Sequence, residues 1–287
     1  MANFYHIYSN GTKSDLLFPT DDEKIFAVNT LAICSLASKI KVIVFIINET
    51  HFHLISHGED TNIENYVLHI KIRISRFLIC KQKNKTAFGA GFQIATDKIQ
   101  DREECLRKII YVYRNCLDFF KGTPWNYPWG VGNAYFNPGL PSREEQPIGN
   151  LGICEQRARF GVREKLPPHW RYDEKGMIVP ASFIDVELAE QLFGSVRAFL
   201  AFLFVRKEDE AAMKQRIFYR QIEMRSIENL RALATEYTTK LFRKNIRSCS
   251  YREKIQIAGL MIKDNVAVKS ASLMKAVYLN CDDLSLL

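Results

Sequence analysis

Three of the six histidines in this 287-residue chain fall close together, at positions 51, 53 and 57. Side chains alternate along a strand, so His51 and His53 share one face while Phe52 points into the core. Two neighbouring imidazoles can hold one divalent metal ion when oxygen ligands complete its coordination. The alternative is a pair of surface histidines, and an isolated His-x-His pattern does not decide between the two. A histidine-triad hydrolase would need a third histidine at position 55, where the chain has Ile55.

A tyrosine and an asparagine form a second pattern that could do chemistry. Tyr111 and Asn115 are four residues apart, so they lie on one face of a predicted helix, whereas Tyr113 points away from both. A phenol beside a metal-bound phosphate can act as a nucleophile, because the cation stabilises the developing charge. The carboxamide oxygen of Asn115 can complete the metal coordination. Ordinary core packing of a helical tyrosine is the competing interpretation.

Basic residues form two candidate nucleic-acid surfaces. The segment from Asn65 to Thr96 contains no acid, and its basic side chains suit phosphate contacts while Phe88 and Phe92 can meet unpaired bases. Residues 240–254 hold a second basic cluster, dense enough to suit duplex phosphate. The candidate DNA-binding residues are Lys71, Arg73, Arg76, Lys81, Lys83, Lys85, Lys240, Arg243, Lys244 and Arg247. A solvated basic helix is the alternative for the first segment.

Composition excludes several classes of protein. With 47% apolar and 25% charged residues, the chain is neither disordered nor collagen-like. Its longest apolar runs fall far short of the roughly 18 to 20 residues that span a bilayer, and its start lacks a signal-peptide pattern. We therefore expect a cytoplasmic, nucleoid-associated protein without a membrane partner. Seven cysteines without a Cys-x-x-Cys pair argue against both a disulfide framework and a cysteine zinc site.

Net charge and missing motifs narrow the function further. The formal charge of +8 suits a polyanionic partner. The chain has no G-x-x-x-x-G-K-[ST], no G-x-G-x-x-G and no G-x-S-x-G motif. A nucleotide triphosphatase, a dinucleotide enzyme and a serine hydrolase therefore have no support.

The elements that must position these residues follow the order βαββαβα. The β-branched segment Lys41 to Ile47 is typical of a central strand, and the short polar link after it predicts a hairpin with the next strand. This order favours an α+β domain, with an antiparallel sheet and helices packed on its faces. Strands are predicted at 4–9, 41–47, 51–56 and 88–96, and helices at 21–39, opened by a cap at Thr20, at 62–81, and at 102–119, introduced by Asp101.

The distribution of proline and glycine divides the chain. Eight of nine prolines and eight of fourteen glycines lie between Gly122 and Pro180, which indicates an irregular segment. Beyond it, apolar residues recur every three or four residues over 184–205 and 226–241, as in amphipathic helices. We expect a catalytic domain over 1–140, an irregular connector over 141–180 and a helical region over 181–287. Residues 255–287 can form a helix-turn-helix, with a packing bundle as the alternative.

Taken in order, these segments resemble the single-tyrosine HUH transposases, in particular the REP-associated tyrosine transposases and their insertion-sequence relatives. HFHL at 51–54 looks like the HUH signature. The segment 101–115 is similar to the family's nucleophile helix, in which tyrosine precedes asparagine by four. FYHIYSNG at 4–11 looks like the opening strand and turn, and Tyr127-Pro128-Trp129 with Tyr135 is similar to the family's usual exit. The resemblance covers residues 4 to 136.

The resemblance implies a ferredoxin-like sheet, the HUH domain, and a metal-dependent single-strand DNA endonuclease and strand transferase. By the family pattern, His51, His53 and Asn115 bind Mg²⁺ or Mn²⁺, and Tyr111 attacks the scissile phosphate to give a 5′-phosphotyrosine. The expected partners are single-stranded and hairpin DNA, with the protein a monomer or a homodimer. The charge pattern, and not the resemblance, leads us to expect that residues from about 181 onward bind the duplex stem or flanking DNA while residues 1–140 hold the single strand.

Three departures from the family pattern leave the predicted ligands and nucleophile in place. Cys116 stands where the family usually has proline, Glu49-Thr50 replaces the common Pro-Asn, and the opening turn lacks its usual arginine. Two other functions remain open. One is a domesticated DNA-binding regulator that no longer cuts, and the other is a metal-dependent phosphoesterase for small molecules, which would not need Tyr111.

Overall fold

The computed structural model describes residues 2–9, 16–81, 93–137, 144–204, 215, 222, 225–264 and 266–281. The chain divides into two compact units. The first comprises Met1–Ser9, Lys13–Ile74 and Ile94–Lys207, and the second comprises Asn10–Thr12, Ser75–Gln93 and Glu208–Leu287. Within the described ranges, no helix is long and apolar enough to cross a membrane. The predicted boundaries at residues 140 and 180 stay predictions.

The first unit is built on a four-stranded antiparallel sheet. Its strands are β1 (Asn3–Ser9), β2 (Lys41–Ile47), β3 (Phe52–Gly58) and β4 (Ile94–Lys98), in the order β2-β3-β1-β4. The hairpin between β2 and β3 is confirmed, with Ile46 opposite His53 and Ile47 opposite Phe52. The prediction of an antiparallel sheet combined with helices is thus confirmed, and among the described residues the structure is mixed α/β and mostly helical.

The prediction that β2 is a central strand is wrong, because β2 lies at the end of the described sheet. Its outer edge is nevertheless covered. Ile47 donates its N–H to the Trp129 carbonyl at 2.8 Å, and Asp185 donates its backbone N–H to the Val42 carbonyl at 2.7 Å. Two phenols also cap carbonyls of this strand, Tyr127 on Ile47 and Tyr135 on Ile43. An edge strand buried in this way needs the same β-branched residues as a central one.

Helices cover both faces of the sheet. They are α1 (Asp21–Ser38), α2 (Asp60–Lys81) and α3 (Arg102–Arg114). The predicted caps are confirmed, since Thr20 and Glu23 form a reciprocal capping box and Asp101 accepts from the Glu104 N–H. On one face the Tyr66 hydroxyl of α2 bonds to α1, and the Tyr5 hydroxyl donates to Asp60. The helix α3 covers the opposite face, which carries the side chains of His6 and His53.

Some predicted boundaries differ from the structure. α3 ends at Arg114, not at 119, and a 3-10 turn over Asn115–Asp118 follows it. β3 begins after His51, and β4 begins at Ile94, with the predicted strand residues 88–92 outside the described ranges. The connector predicted to be irregular contains two short strands, β5 (Gln146–Pro147) and β6 (Arg171–Tyr172), and the helix α4 (Ile153–Phe160). Gly161, with φ of 63°, closes that helix.

The single helical stretch predicted at 184–205 is two helices, α5 (Val186–Phe193) and α6 (Val196–Phe204). Gly194 separates them because its φ of 76° is left-handed, a conformation that side-chain-bearing residues rarely adopt. An apolar spacing of three and four continues through the break, so periodicity alone does not show it.

The second unit is helical over its described residues. It contains α7 (Ile227–Phe242), α8 (Tyr251–Lys263) and α9 (Ala271–Ala276), joined by a 3-10 turn at Ile246–Ser248. Leu233, Ile257, Met261 and Leu273 belong to its buried core. The second helix of the predicted helix-turn-helix, 282–287, lies outside the described residues.

Candidate active site

Two central strands and α3 bring the first set of side chains together. Tyr8 of β1 lies directly opposite His53 of β3, and His6 lies two residues earlier on the same face. The Tyr111 ring stands edge-on to both imidazoles, with centroids 5.6 Å from His53 and 6.1 Å from His6. The link before β3 adds His51, whose ring centroid is 4.8 Å from that of His53. We call His6, His51, His53 and Tyr111 the histidine–tyrosine cluster.

Two carboxamides complete the arrangement. Asn115, in the turn after α3, places Nδ2 3.5 Å from the Tyr111 phenol oxygen. The Nδ2 of Asn48 donates to Asn115 Oδ1 at 2.9 Å and lies 3.4 Å from His51 Nε2. Because one amide nitrogen reaches both atoms, the Asn115 oxygen and the His51 nitrogen converge on one point. The structure therefore brings His51, His53, Tyr111 and Asn115 together, while their roles stay predictions.

Burial keeps the imidazoles of the cluster neutral. It lowers the pKa of His6 to about 3, with a smaller effect from the charge of Lys108, and it lowers the pKa of His51 to about 4. The pKa of His53 is also lowered well below 6.5, first by burial and then by the neighbouring histidines. A metal ion needs the neutral imidazole, so each ring is in its ligating protonation state at physiological pH.

A hydrogen bond joins two of these rings. His6 Nε2 and His53 Nδ1 are 3.2 Å apart, so one ring must donate its single N–H to the other. If His53 Nδ1 carries the proton, His53 Nε2 presents a lone pair. That nitrogen is buried and has no hydrogen-bond partner among the described residues. An acceptor on Nδ1 and a lone pair on Nε2 are what a metal-ligating histidine requires.

The donor set fits a divalent cation in chemical type. Two neutral imidazoles and the Asn115 amide oxygen could hold it, and the buried His53 Nε2 is the atom that most needs such a partner. Of the two predicted ions, imidazole nitrogens favour Mn²⁺, since Mg²⁺ prefers oxygen ligands. No group of three His, Cys, Asp or Glu side chains among the described residues could hold a metal, so the fit depends on the asparagine.

Sequence reasoning missed one member of the cluster, His6, and two residues beside it, Asn48 and Lys108. His6 contacts His53, Asn48 contacts Asn115, and Lys108 lies one turn before Tyr111 with its side chain only 11% exposed. Lys108 pairs with Glu104 at 2.9 Å. The sequence placed His6 on a strand, but only the pairing of β1 with β3 brings it to His53. Asn48 gave no such signal, since asparagine is common in any turn.

Comparison with known proteins gives one weak similarity. No protein-family model and no curated protein matches the chain. It is similar to a solved structure described as "Structure of the REP associates tyrosine transposase bound to a REP hairpin", at 14% identity and a TM-score of 0.38. The match covers 49% of this chain and 82% of that one. A likeness at this level establishes neither a fold family nor a function for this chain.

The neighbouring tyrosine has a different environment. Tyr113 donates its hydroxyl to the Gly132 carbonyl at 2.7 Å, and its ring packs against Tyr135 and Phe199. Burial raises the pKa of this phenol. Tyr113 thus lies away from the histidines, as the helix-face argument predicted, and serves as a matched control for Tyr111.

The basic residues predicted on α2 have different surroundings. Arg73 donates to the carbonyls of Phe160 and Gly161 at 3.0 and 3.1 Å, so its guanidinium closes the end of α4. Arg76 is exposed and Lys71 is half-buried. Lys83 and Lys85, the side chain of Lys81, and the aromatic residues Phe88 and Phe92 lie outside the described residues.

The basic residues of the second unit lie on its surface. Lys240 and Arg243 are exposed at the end of α7, and Lys244 pairs with Glu253 at 2.9 Å. Arg247 differs from them, because its Nε donates to the Tyr278 hydroxyl at 2.9 Å. DNA binding by this group stays a prediction.

Proposed function

We propose that this chain is a metal-dependent single-strand DNA endonuclease and strand transferase that acts on hairpin-forming DNA. In this proposal the first unit is an HUH domain with a ferredoxin-like sheet, a fold that the strand order β2-β3-β1-β4 supports. Tyr111 is the nucleophile. The observation that carries the proposal is the buried convergence of Tyr111, Asn115 and two histidines, one of which has an unpartnered ring nitrogen.

The surroundings of Tyr111 suit a nucleophile better than a packing residue. Its ring meets the edges of His6 and His53, and the Asn115 amide reaches its phenol oxygen. A tyrosine that served packing alone would be expected among apolar side chains, as Tyr113 is beside Tyr135 and Phe199. Placing a phenol beside neutral imidazoles gives it metal ligands as neighbours, which is the requirement for attack on a bound phosphate.

His51, His53 and Asn115 would hold the divalent ion, which supplies Lewis-acid polarisation of the scissile phosphate when bound. In this proposal His53 Nδ1 donates to His6 Nε2, which lies 3.2 Å away, and this tautomer leaves His53 Nε2 for the ion. Asn48 orients the Asn115 oxygen through the 2.9 Å hydrogen bond. These two residues therefore fix the direction of the ligating atoms without touching the phosphate.

The chemical step conserves the number of phosphodiester bonds. The Tyr111 phenol oxygen loses its proton and attacks phosphorus, the bond from phosphorus to the 3′ oxygen breaks, and the departing 3′ oxygen takes up one proton. The products are a 5′-phosphotyrosine and a free 3′-hydroxyl. The same or another 3′-hydroxyl can reverse the attack, so strands are rejoined without ATP.

A covalent-adduct assay tests this proposal. The strand on the 3′ side of the nick stays on the protein, so hairpin oligonucleotides with varied single-stranded flanks carry a fluorophore at the 3′ end. With Mn²⁺, the wild-type chain should retain label on a denaturing gel, and EDTA should abolish it. Tyr111→Phe should bind the hairpins but give no adduct, whereas Tyr113→Phe should still give it.

Other outcomes identify the alternatives. Hairpin binding by folded, metal-loaded wild-type protein without any adduct would replace the enzyme with a non-cleaving regulator. Release of a free product from a small phosphodiester by Tyr111→Phe would favour a phosphoesterase. An equal adduct yield from Tyr111→Phe and wild type would show that another residue is the nucleophile.

A further inference from the structure

The second unit contains a cleft of about 450 Å³ that holds two arginines and no acidic side chain among its described lining residues. We call it the Arg231–Arg247 cleft. Arg231 comes from α7 and Arg247 from the 3-10 turn at Ile246–Ser248, while Tyr278 follows α9. Thr235, Asn245 and Ser248 contribute the other polar groups.

One aromatic ring holds both arginines. The guanidinium carbon of Arg231 lies 4.8 Å from the centre of the Tyr278 ring, and that of Arg247 lies 5.4 Å from it. The Arg247 Nε also donates to the Tyr278 hydroxyl. Cation–π contact fixes the orientation of each guanidinium, so less freedom is lost when a ligand binds.

Two like charges held on one ring repel each other, and an anion between them would relieve that repulsion. The Nε of Arg231 is buried and has no hydrogen-bond partner among the described residues. The remaining bond of this guanidinium is a long one, 3.5 Å to the Lys275 carbonyl. An unpartnered buried donor is costly, so this atom is suited to a ligand that accepts hydrogen bonds.

Two hydroxyls of the cleft do not compete with the arginines for a ligand. Thr235 donates to the Arg231 carbonyl at 2.9 Å, and Ser248 donates to the Asn245 carbonyl at 2.9 Å. The Asn245 side chain accepts from the Arg247 N–H. Besides the Tyr278 hydroxyl and the Asn245 amide, the donors left for a ligand are the charged guanidinium N–H groups, whose fork matches the oxygens of a phosphate.

Backbone geometry places the ring at this point. Tyr278 has φ of 58°, a left-handed conformation that is uncommon for a bulky residue. Its neighbour Val277 is fully buried in the core of the second unit. The core thus holds the chain in a turn that presents the Tyr278 ring to the two arginines. Such a conformation is more often found at functional positions than elsewhere.

We propose that the Arg231–Arg247 cleft binds a backbone phosphate of DNA. The choice of DNA as the ligand rests on the proposed function, whereas the site itself goes beyond the nuclease chemistry and includes Arg231, a residue outside the predicted DNA-binding set. The cleft provides a positioning contact to phosphate, so it contributes affinity and salt dependence without sequence preference.

Equilibrium binding of labelled hairpin DNA tests the site. It is measured with the full chain in EDTA, so the result does not depend on cleavage at Tyr111. Arg231→Gln and Arg247→Gln should each weaken binding about 5- to 10-fold at low salt and lower the slope of log K against log salt by about 1. Arg163→Gln, which removes an equal charge from an exposed position after α4 and outside both predicted DNA-binding segments, should change the affinity less than about 2-fold.

A thermal-shift series with inorganic phosphate, against chloride at equal ionic strength, shows whether the cleft binds free phosphate instead of the phosphates of DNA. Loss of DNA affinity specific to Arg231→Gln and Arg247→Gln, in proteins that melt like wild type, supports the proposal. Equal affinities for these variants and Arg163→Gln would overturn it. Stabilisation by free phosphate that needs both arginines, with DNA binding unchanged, would overturn the assignment to DNA.

Discussion

The histidine–tyrosine cluster and the Arg231–Arg247 cleft place polar side chains in opposite environments. In the cluster, His6 and His53 are essentially fully buried, and burial keeps their imidazoles neutral. In the cleft, Arg247 is exposed, and both guanidinium groups lie against one tyrosine ring. What the cluster can bind therefore depends on which ring nitrogen carries the proton, whereas what the cleft can bind depends on its positive charge.

This difference separates the two kinds of contact that the proposals require. A neutral buried imidazole binds a cation only if the nitrogen that faces the cation carries the lone pair. A single hydrogen-bond acceptor on the other nitrogen can fix that tautomer. An arginine keeps its charge under all physiological conditions, so its effect scales with ionic strength. Substitutions in the cluster should act on metal affinity, and substitutions in the cleft should act on salt dependence.

The largest effect is expected from removing His53. His53→Ala should lower Mn²⁺ affinity by at least about 100-fold, because a ligand and its orienting hydrogen bond are lost together. Titration followed by electron paramagnetic resonance measures the free ion directly. His57→Ala is the control, since this histidine lies on the same strand and packs against Phe4. Equal loss in both variants would show that the strand, not the ligand, is responsible.

A smaller effect should follow from changing the acceptor on His53. His6→Leu should weaken Mn²⁺ binding about 10- to 100-fold, the usual range for a residue that orients a metal ligand. His6→Gln should recover part of the affinity, because its amide oxygen can accept from His53 Nδ1. Ser38→Ala removes a hydroxyl partner of His69 elsewhere in the first unit and should change nothing. Unchanged affinity in His6→Leu would contradict the orienting role.

The buried imidazoles should also make stability depend on pH. Their pKa values are about 3 for His6 and about 4 for His51, below the ordinary 6.5, so the unfolded chain binds protons first as the pH falls. Stability is complete above pH 6.5 and decreases below it. In EDTA, the free energy of unfolding should be about 2 kcal/mol lower at pH 5 than at neutral pH for each histidine.

Urea unfolding at several pH values measures this dependence. His6→Gln should flatten the decrease relative to wild type, because it removes one of the imidazoles whose pKa burial lowers. If His6→Gln and wild type lose stability in parallel, His6 is not held neutral by the fold.

The smallest effect on stability is expected at the exposed pair Lys244–Glu253. Lys244→Gln should leave the urea midpoint unchanged, because an ion pair between exposed side chains is screened by water. The same substitution should weaken hairpin binding and reduce its salt slope if Lys244 meets phosphate. A lowered urea midpoint with unaltered DNA binding would show that Lys244 contributes to stability and not to phosphate binding.

Local patterns in the sequence predicted most of the elements that carry the cluster. The caps at Thr20 and Asp101 and the hairpin between β2 and β3 depend on neighbouring residues, so the sequence specified them. The helix-face argument likewise placed Tyr111 beside Asn115 and turned Tyr113 away. These features involve contacts between residues that are close along the chain.

The features that the sequence did not reveal depend on distant contacts. The hydrogen bonds of Arg73 to the carbonyls of Phe160 and Gly161 could not be foreseen, because these partners come from a helix far along the chain. His6 became part of the cluster only through the register that pairs β1 with β3. The covered edge of β2 similarly depends on Trp129 and Asp185, which no local pattern connects to it.

Peptide mass spectrometry of the covalent adduct tests the central claim most directly. Wild-type protein is incubated with hairpin DNA and Mn²⁺, the DNA is digested to a nucleotide remnant, and the peptides are sequenced. The account predicts a nucleotide linked through its 5′-phosphate to Tyr111, with Tyr113 unmodified in the same peptide. A remnant on any other residue, or a 3′-phosphate linkage on Tyr111, would contradict it.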